Sequence, residues 1–414
     1  MSYAFNNTVS FEGTPQVDAF SRFRTSQLNS VLEIKHVYDK NPILIDELIN
    51  GNATSTWSSG HSDIEMQVHS NSDYVIRQTK ARGVYSPGKG GLFEATFMNF
   101  HVQTNIIKRV GYFSSDSSAP YTGTLDGFFI ESNGNTNTVS FQLWRSGEAI
   151  QNVDISQWRT DVFNPLDIDW QKDQLFWADF QWLGVGRLRF GLVLPGHGFV
   201  QFGEVCSANL LEDAFMTNPN QPIRYEIRQI GSGPSSGNGR FDQLCSHYAI
   251  EGAQNALLKA VSVVNSTERT LATPGVKYPL LGYRCATAWK GSNIMLDSLF
   301  ALNQVTGTDY LITVEMNPGI TGGTASYSQV ANTPIEFAQG NGSLTVANSG
   351  IVIKSYIGKG NAATTDNYSL QDNLIKPGVC INGTRDEVWI CVTPLVTSGS
   401  TKIRSMIANL NYFD

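Results

Sequence analysis

Charged residues are scarce: Asp, Glu, Lys and Arg make up 16% of the 414 residues, against about a quarter in ordinary globular chains. The 29 basic and 36 acidic side chains leave a formal charge of −7 and nowhere gather into a dense basic run. Duplex binding needs clustered cations to displace phosphate counterions, so nucleic acid is not expected as a partner. No apolar run reaches the roughly 18 residues of a spanning helix, and no membrane span is expected. The start, Met1-Ser-Tyr-Ala-Phe-Asn-Asn7, has neither a basic nor an apolar leader segment, which points to a soluble chain made without a secretory signal.

Metal-ligand spacing is also missing. Cys206, Cys245, Cys285, Cys380 and Cys391 form no C-x-x-C pair, and the six histidines are scattered, so neither a metal nor a cofactor is expected. The cysteines read as small apolar core residues in a reducing compartment; Cys380 and Cys391 are the one pair a hairpin could bring together. What is abundant is glycine (38) and aromatics (22 Phe, 15 Tyr, 8 Trp), enough to build large cores beneath a neutral polar surface.

Period-two alternation dominates and predicts an all-β chain. In 187–194, Leu188, Phe190, Leu192 and Leu194 share one face, opposite Arg187, Arg189 and Val193. In 223–228, Ile223, Tyr225 and Ile227 oppose Arg224, Glu226 and Arg228. Residues 310–316, 351–357 and 388–393 read the same way, and Lys402–Phe413 looks like a closing strand. Turn clusters such as Ser86-Pro-Gly-Lys-Gly-Gly91 and Gln339-Gly-Asn-Gly-Ser343 separate them, the punctuation of sandwiches and barrels. Only 251–261 has helical composition, and it could equally continue a strand through Tyr248 and Ile250.

The segment 174–194 predicts a hairpin. A five-residue loop, Leu183–Arg187, pairs Trp182 with Leu188, Phe180 with Phe190 and Gln181 with Arg189, with Asp179 diagonal to Arg189. Pairing Trp182 with Arg187 would mismatch the apolar faces. Composition divides the chain into an extended arm (1–30), a large aromatic-rich β domain (31–255) and a second β domain (256–414).

Chemical signatures are few. The glycines of Gly231–Gly237 are followed by no helix, so no phosphate fingerprint forms. Asp386 and Glu387 would point to opposite faces of a strand, and Asp167 and Asp169 follow Pro165 in a loop, so neither pair suits glycoside cleavage. No His lies in a recognisable Ser/His/Asp order and no G-x-S-x-G elbow occurs; no catalytic residues are expected. Trp57, in Thr-Ser-Thr-Trp-Ser-Ser-Gly, and Tyr121, in Ala-Pro-Tyr-Thr-Gly, are aromatics near loops that could stack on a sugar ring. Trp57 could equally plug the end of a sandwich.

An ordered set of segments resembles a widespread family of tailed-phage virion structural proteins. It comprises Asp18-Ala-Phe-Ser-Arg-Phe-Arg-Thr-Ser26, Val75-Ile-Arg-Gln-Thr-Lys80 with Ser86-Pro-Gly-Lys89, Phe180-Gln-Trp-Leu-Gly-Val-Gly-Arg-Leu-Arg-Phe-Gly191, Pro222-Ile-Arg-Tyr-Glu-Ile227, and Gly383-Thr-Arg-Asp-Glu387 leading to Cys391-Val-Thr-Pro394. Gly90–Phe97 with the Trp182–Leu194 hairpin is also similar to a concanavalin-type jelly roll, without the glutamate motif of its catalytic members. The resemblance implies a non-enzymatic virion component, synthesised in the host cytoplasm and placed at the tail, baseplate or fibre, or decorating the head. Its partners would be other virion proteins and further copies of itself in a homo-oligomer. In the arm, Phe20 and Phe23 would pack into a neighbour or its own domain, while Asp18, Arg22 and Arg24 form ion pairs. A host-surface glycan, gripped by Trp57 and Tyr121, is the alternative partner.

Overall fold

A computed structural model describes residues 27–231, 239–252, 259–303, 309–359, 376–396 and 402–413. The chain divides into two compact units, residues 1–256 and 257–414. In both, the described residues form β-strands joined by turns and a few short 3-10 turns.

The first unit contains β1 (Leu28–Ile34), β2 (Ile45–Asn50), β3 (Thr54–Ser58), β4 (Asp63–Val68), β5 (Tyr74–Thr79), β6 (Gly91–Met98), β7 (Ile106–Ser114) and β8 (Asp126–Asn133). They are followed by β9 (Thr138–Arg145), β10 (Glu148–Asp154), β11 (Gln174–Gln181), β12 (Arg187–Leu194), β13 (Gly198–Cys206), β14 (Ile223–Gln229) and β15 (Gly239–Glu251). One sheet runs β13-β12-β11-β6-β15-β4-β3 with β1 also on β15; the other runs β10-β9-β8-β7-β14-β5-β2. All pairings are antiparallel, and β14 and β15 return late in the chain to the sheet centres, as in a jelly roll.

Alternation explains the core. Phe93 and Phe97, Phe176 and Phe180, Leu188 and Phe190, and Phe241 and Tyr248 face Val110 and Tyr112, Phe128 and Ile130, Phe141, and Tyr225 and Ile227 in one buried cluster. Phe141 of β9 stacks on Phe190 of β12 at 4.0 Å with an interplanar angle of 2°, and Tyr112 on Tyr248 at 4.8 Å. Each such side chain contributes about 1.5–3 kcal/mol by leaving water.

The second unit contains β16 (Lys259–Asn265), β17 (Arg269–Thr270), β18 (Tyr278–Cys285), β19 (Asn293–Asn303), β20 (Asp309–Met316) and β21 (Gly319–Thr321). After these come β22 (Tyr327–Gln329), β23 (Ile335–Gln339), β24 (Thr345–Asn348), β25 (Ile351–Lys359), β26 (Glu387–Pro394) and β27 (Lys402–Phe413). A four-stranded sheet centred on β27 and a six-stranded sheet, β22-β23-β18-β26-β20-β25, share a core that includes Leu296, Ala408 and Leu410 from the first and Leu281, Ile312 and Ile390 from the second. The β21–β24 pair contributes Ile320 and Val346 to a smaller cluster on Trp389. The expected second β-sandwich is present.

Of two local readings, one is tested only at its ends and the other is corrected in register. The segment with helical composition has strand at both described ends, since β15 runs to Glu251 and β16 starts at Lys259; residues 253–258 lie outside the described ones. The β11–β12 hairpin has the expected five-residue loop and face parity, but the loop is 182–186. Phe180 therefore pairs with Leu188, Ala178 with Phe190, Gln181 with Arg187, and Asp179 directly with Arg189. Trp182 leaves the ladder to donate its indole N–H to the Met216 carbonyl at 3.1 Å and to meet the Tyr85 ring edge-on at 5.9 Å. That departure sets Asp179 and Arg189 face to face, with Nη2 and Oδ1 3.1 Å apart and both side chains buried.

Candidate functional site

The outward-facing side of the β7–β14 region carries a cluster of charged side chains. Alternation turns Arg224, Glu226 and Arg228 away from the core, and register puts Glu226 opposite Arg109, which is opposite Glu131 on β8. Arg109 Nε donates to Glu131 Oε2 at 2.6 Å and its Nη1 to Glu226 Oε1 at 2.9 Å. Arg224 reaches Glu226 Oε2 through Nε at 2.9 Å and Nη2 at 2.6 Å, and Arg228 Nε reaches Oε1 at 3.1 Å. Each guanidinium also lies by an aromatic ring: Arg109 by Phe129 at 5.3 Å, Arg224 by Phe113 at 5.3 Å, and Arg228 by Tyr74 at 5.2 Å.

This face is covered. Arg224 and Glu226 are fully buried, and the connection between β7 and β8 lies over them. Arg224 Nη1 donates to Ser115 Oγ at 2.7 Å; Arg224 Nη2 and Arg228 Nη2 donate to the Tyr121 carbonyl at 3.0 and 3.2 Å; Arg228 Nη1 donates to the Pro120 carbonyl at 2.7 Å. The Ala119–Pro120 peptide is cis and Tyr121 has φ 61°. The result is a loop clamped by two arginines, its tip (118–120) exposed.

Burial pushes the Glu226 carboxyl up, but Arg228, Arg224 and Arg109 outweigh it and hold it well below the usual carboxylate range. A glycosidic general acid needs the opposite shift, and a nucleophilic carboxylate needs free lone pairs. Glu131 and Glu226 are bridged by Arg109. The arrangement does structural work: it fixes a loop.

The two aromatic candidates are not brought together. Trp57 lies on β3, half-buried against the first core, and donates its indole N–H to the His36 carbonyl at 2.8 Å. That contact and packing are those of a residue at the margin of the sandwich. Tyr121 belongs to the clamped loop on the other sheet and meets the Tyr74 ring edge-on at 6.2 Å. Asp18, Phe20, Arg22, Phe23 and Arg24 lie outside the described residues.

Of the carboxylate pairs, Asp167 lies in a short 3-10 turn and Asp169 caps the Gln171 amide at 3.1 Å. Asp386 accepts from Asn317 and the Gly378 amide, whereas Glu387 accepts from Arg284, so the two serve separate contacts. All five cysteines are free. Among the described residues no three His, Cys, Asp or Glu side chains converge on a metal position, and no helix is long and apolar enough to cross a membrane. Sequence reasoning missed Arg109 and Glu131; the available signal was the alternating Arg-x-Glu-x-Arg of β14 in so weakly charged a chain.

No protein-family model matches the sequence, and no curated protein matches it. Among solved structures, the chain is similar to the carbohydrate recognition domain of Emp47p (11% identity, TM-score 0.34, covering 55% of this chain and 98% of that one). It is also similar to a putative beta-glucanase from Mycobacterium abscessus (13%, TM-score 0.38, 53% and 100%). A third is the exoplasmic/lumenal domain of VIP36 in its Ca2+/Man-bound form (10%, TM-score 0.35, 56% and 99%).

Proposed function

We propose that this chain is a structural component of a tailed-phage virion, associated with the tail, baseplate or fibre, and that this role rests on protein–protein assembly contacts and needs no catalysis. One observation carries the reading. Several charged residues in the described segments that resemble the virion family are framework. Arg77 pairs with Glu47, Asp179 with Arg189, Arg224 with Glu226, and Arg385 with Glu336. Charges held in internal ion pairs fix strands and loops in place instead of being presented to a substrate. A particle component that must persist outside a cell needs that rigidity, and repeated copies in a homo-oligomer would present loops such as 115–124 to neighbouring virion proteins.

The test is location. Mass spectrometry of purified particles from a phage encoding this sequence should find the chain, and electron microscopy should place it at the tail; absence from the particle overturns the proposal. Deleting residues 1–26 should impair incorporation if the arm is an assembly element.

A second reading, recognition of a host-surface glycan, draws on one feature: Tyr121 sits half-buried beside Tyr74 on a loop with an exposed tip. A glycan array with the full chain and with Tyr121→Ala decides it. Specific binding lost in the variant favours recognition, and a blank array removes it.

A further inference from the structure

We propose that Ser30, His247 and Glu94 form an acyl-transfer triad on the outer face of the first sheet, able to hydrolyse short, unhindered carboxylic esters. The three residues come from the edge strand β1, from β15 beside it and from β6 beyond. Glu94 stands directly opposite His247, and Ser30 is opposite Ala249, two positions along. All three side chains therefore emerge on one face. Ser30 Oγ lies 2.8 Å from His247 Nε2, and His247 Nδ1 lies 3.1 Å from Glu94 Oε2. These are the two links that define a nucleophile, its base and the group that orients the base, whatever their order in sequence. With Nδ1–H donated to the carboxylate, Nε2 is left to accept the Ser30 proton.

Two further features suit the role. Ser30 is exposed, while His247 and Glu94 keep 32% and 26% of their side-chain surface, so a substrate can reach the hydroxyl. The β1–β15 register shifts between Ser30 and Leu32, leaving Val31 without an opposite residue. Bulges of this kind re-aim side chains and interrupt the ladder, and the Val31 amide, next after the nucleophile, is the donor the proposal assigns to the oxyanion. The face is open, which suits an acyl group carried on a larger surface.

The reaction balances with water alone. Ser30 Oγ attacks the ester carbonyl as its proton passes to His247 Nε2. The C–O bond breaks, and the imidazolium returns that proton to the leaving alkoxide. Water, deprotonated by the same nitrogen, then releases the carboxylic acid and regenerates the serine. The charged groups facing His247 are Glu94 on β6 and Glu33, its opposite residue on β1.

The test uses the full chain with a fluorophosphonate probe and with p-nitrophenyl acetate. Peptide mapping should place the probe on Ser30, Ser30→Ala should abolish that label, and His247→Gln should slow it by at least about a hundredfold, the scale of a lost general base. Glu94→Gln should shift the pH profile of Ser30-dependent hydrolysis, which a purely structural contact would not do. No label on Ser30, or labelling indifferent to His247→Gln, overturns the proposal. Neither result bears on the assembly reading, which does not depend on this site.

Discussion

Glu226 lies directly opposite Arg109 across the β14–β7 pair, and their 2.9 Å contact closes a buried network in which two more arginines share the same carboxylate. Removing one partner from such a network leaves uncompensated charge in a dry place. Glu226→Gln is expected to cost about 3–5 kcal/mol at neutral pH, read by urea unfolding of the first unit's transition. The pH sign follows from the depressed folded-state value. Stability from Glu226 is fully present above the unfolded carboxyl's pKa, about 4.3, and is lost as pH falls below it toward the folded value. The variant should therefore show a shallower acid dependence than the parent; equal slopes would refute the account.

The hairpin loop 182–186 distinguishes two glycines. A Cβ on Gly186 would stand 1.7 Å from the Gln181 carbonyl oxygen and 2.8 Å from that of Trp182, both backbone atoms that cannot yield cheaply. Gly184 has open space, its nearest contact being Ala214 Cβ at 3.9 Å, but a φ of 79°. Gly184→Ala is expected to cost about 1–2 kcal/mol, from left-handed strain alone. Gly186→Ala should cost more, up to about 3 kcal/mol, because the loop itself must move. Thermal unfolding of the two variants side by side gives the order.

That loop also shows what was legible in the sequence. Period-two patterning is local, so face parity, loop length and the opposition of Ile223, Tyr225 and Ile227 to Arg224, Glu226 and Arg228 could all be read directly. The choice between two registers of equal parity was not local. It depends on Trp182 finding the Met216 carbonyl and the Tyr85 ring, which lie far along the chain. Burial of Arg224 was equally hidden, because its cover, the Tyr121 carbonyl, is 103 positions away. Ser30, His247 and Glu94 form no sequence motif because three strands separated in order deliver them to one face.

Asp63 is fully buried, and neither carboxylate oxygen has a hydrogen-bond partner among the described residues. Burial raises its pKa and the neighbouring Asp242 raises it further. For an acid shifted upward, the charged form penalises the folded state above the folded pKa, and the penalty fades as pH falls through it. Asp63→Asn, which keeps the shape and removes the charge, is expected to stabilise the protein by about 1 kcal/mol at pH 7. The gain should vanish in mild acid. Denaturation midpoints at the two pH values check it, and a variant less stable than the parent at pH 7 would show that Asp63 has a partner worth keeping.

Lys108 presents the converse case. It points into the first unit's interior with no exposed surface, and its Nζ donates to the main-chain carbonyls of Asn99 at 2.5 Å and His101 at 2.9 Å. Burial pushes the amine down to about 7, with Asp242 opposing only in part. The unfolded chain holds that proton up to about pH 10.4, so between the two values the unfolded state binds more protons than the native one. Stability should therefore rise with pH across that interval. Lys108→Met fills similar volume without the titrating group, and it should flatten the rise while sacrificing the two carbonyl contacts. Urea unfolding of parent and variant at several pH values from 7 to 10 measures the slopes directly, and parallel curves would mean that Lys108 stays protonated in the core.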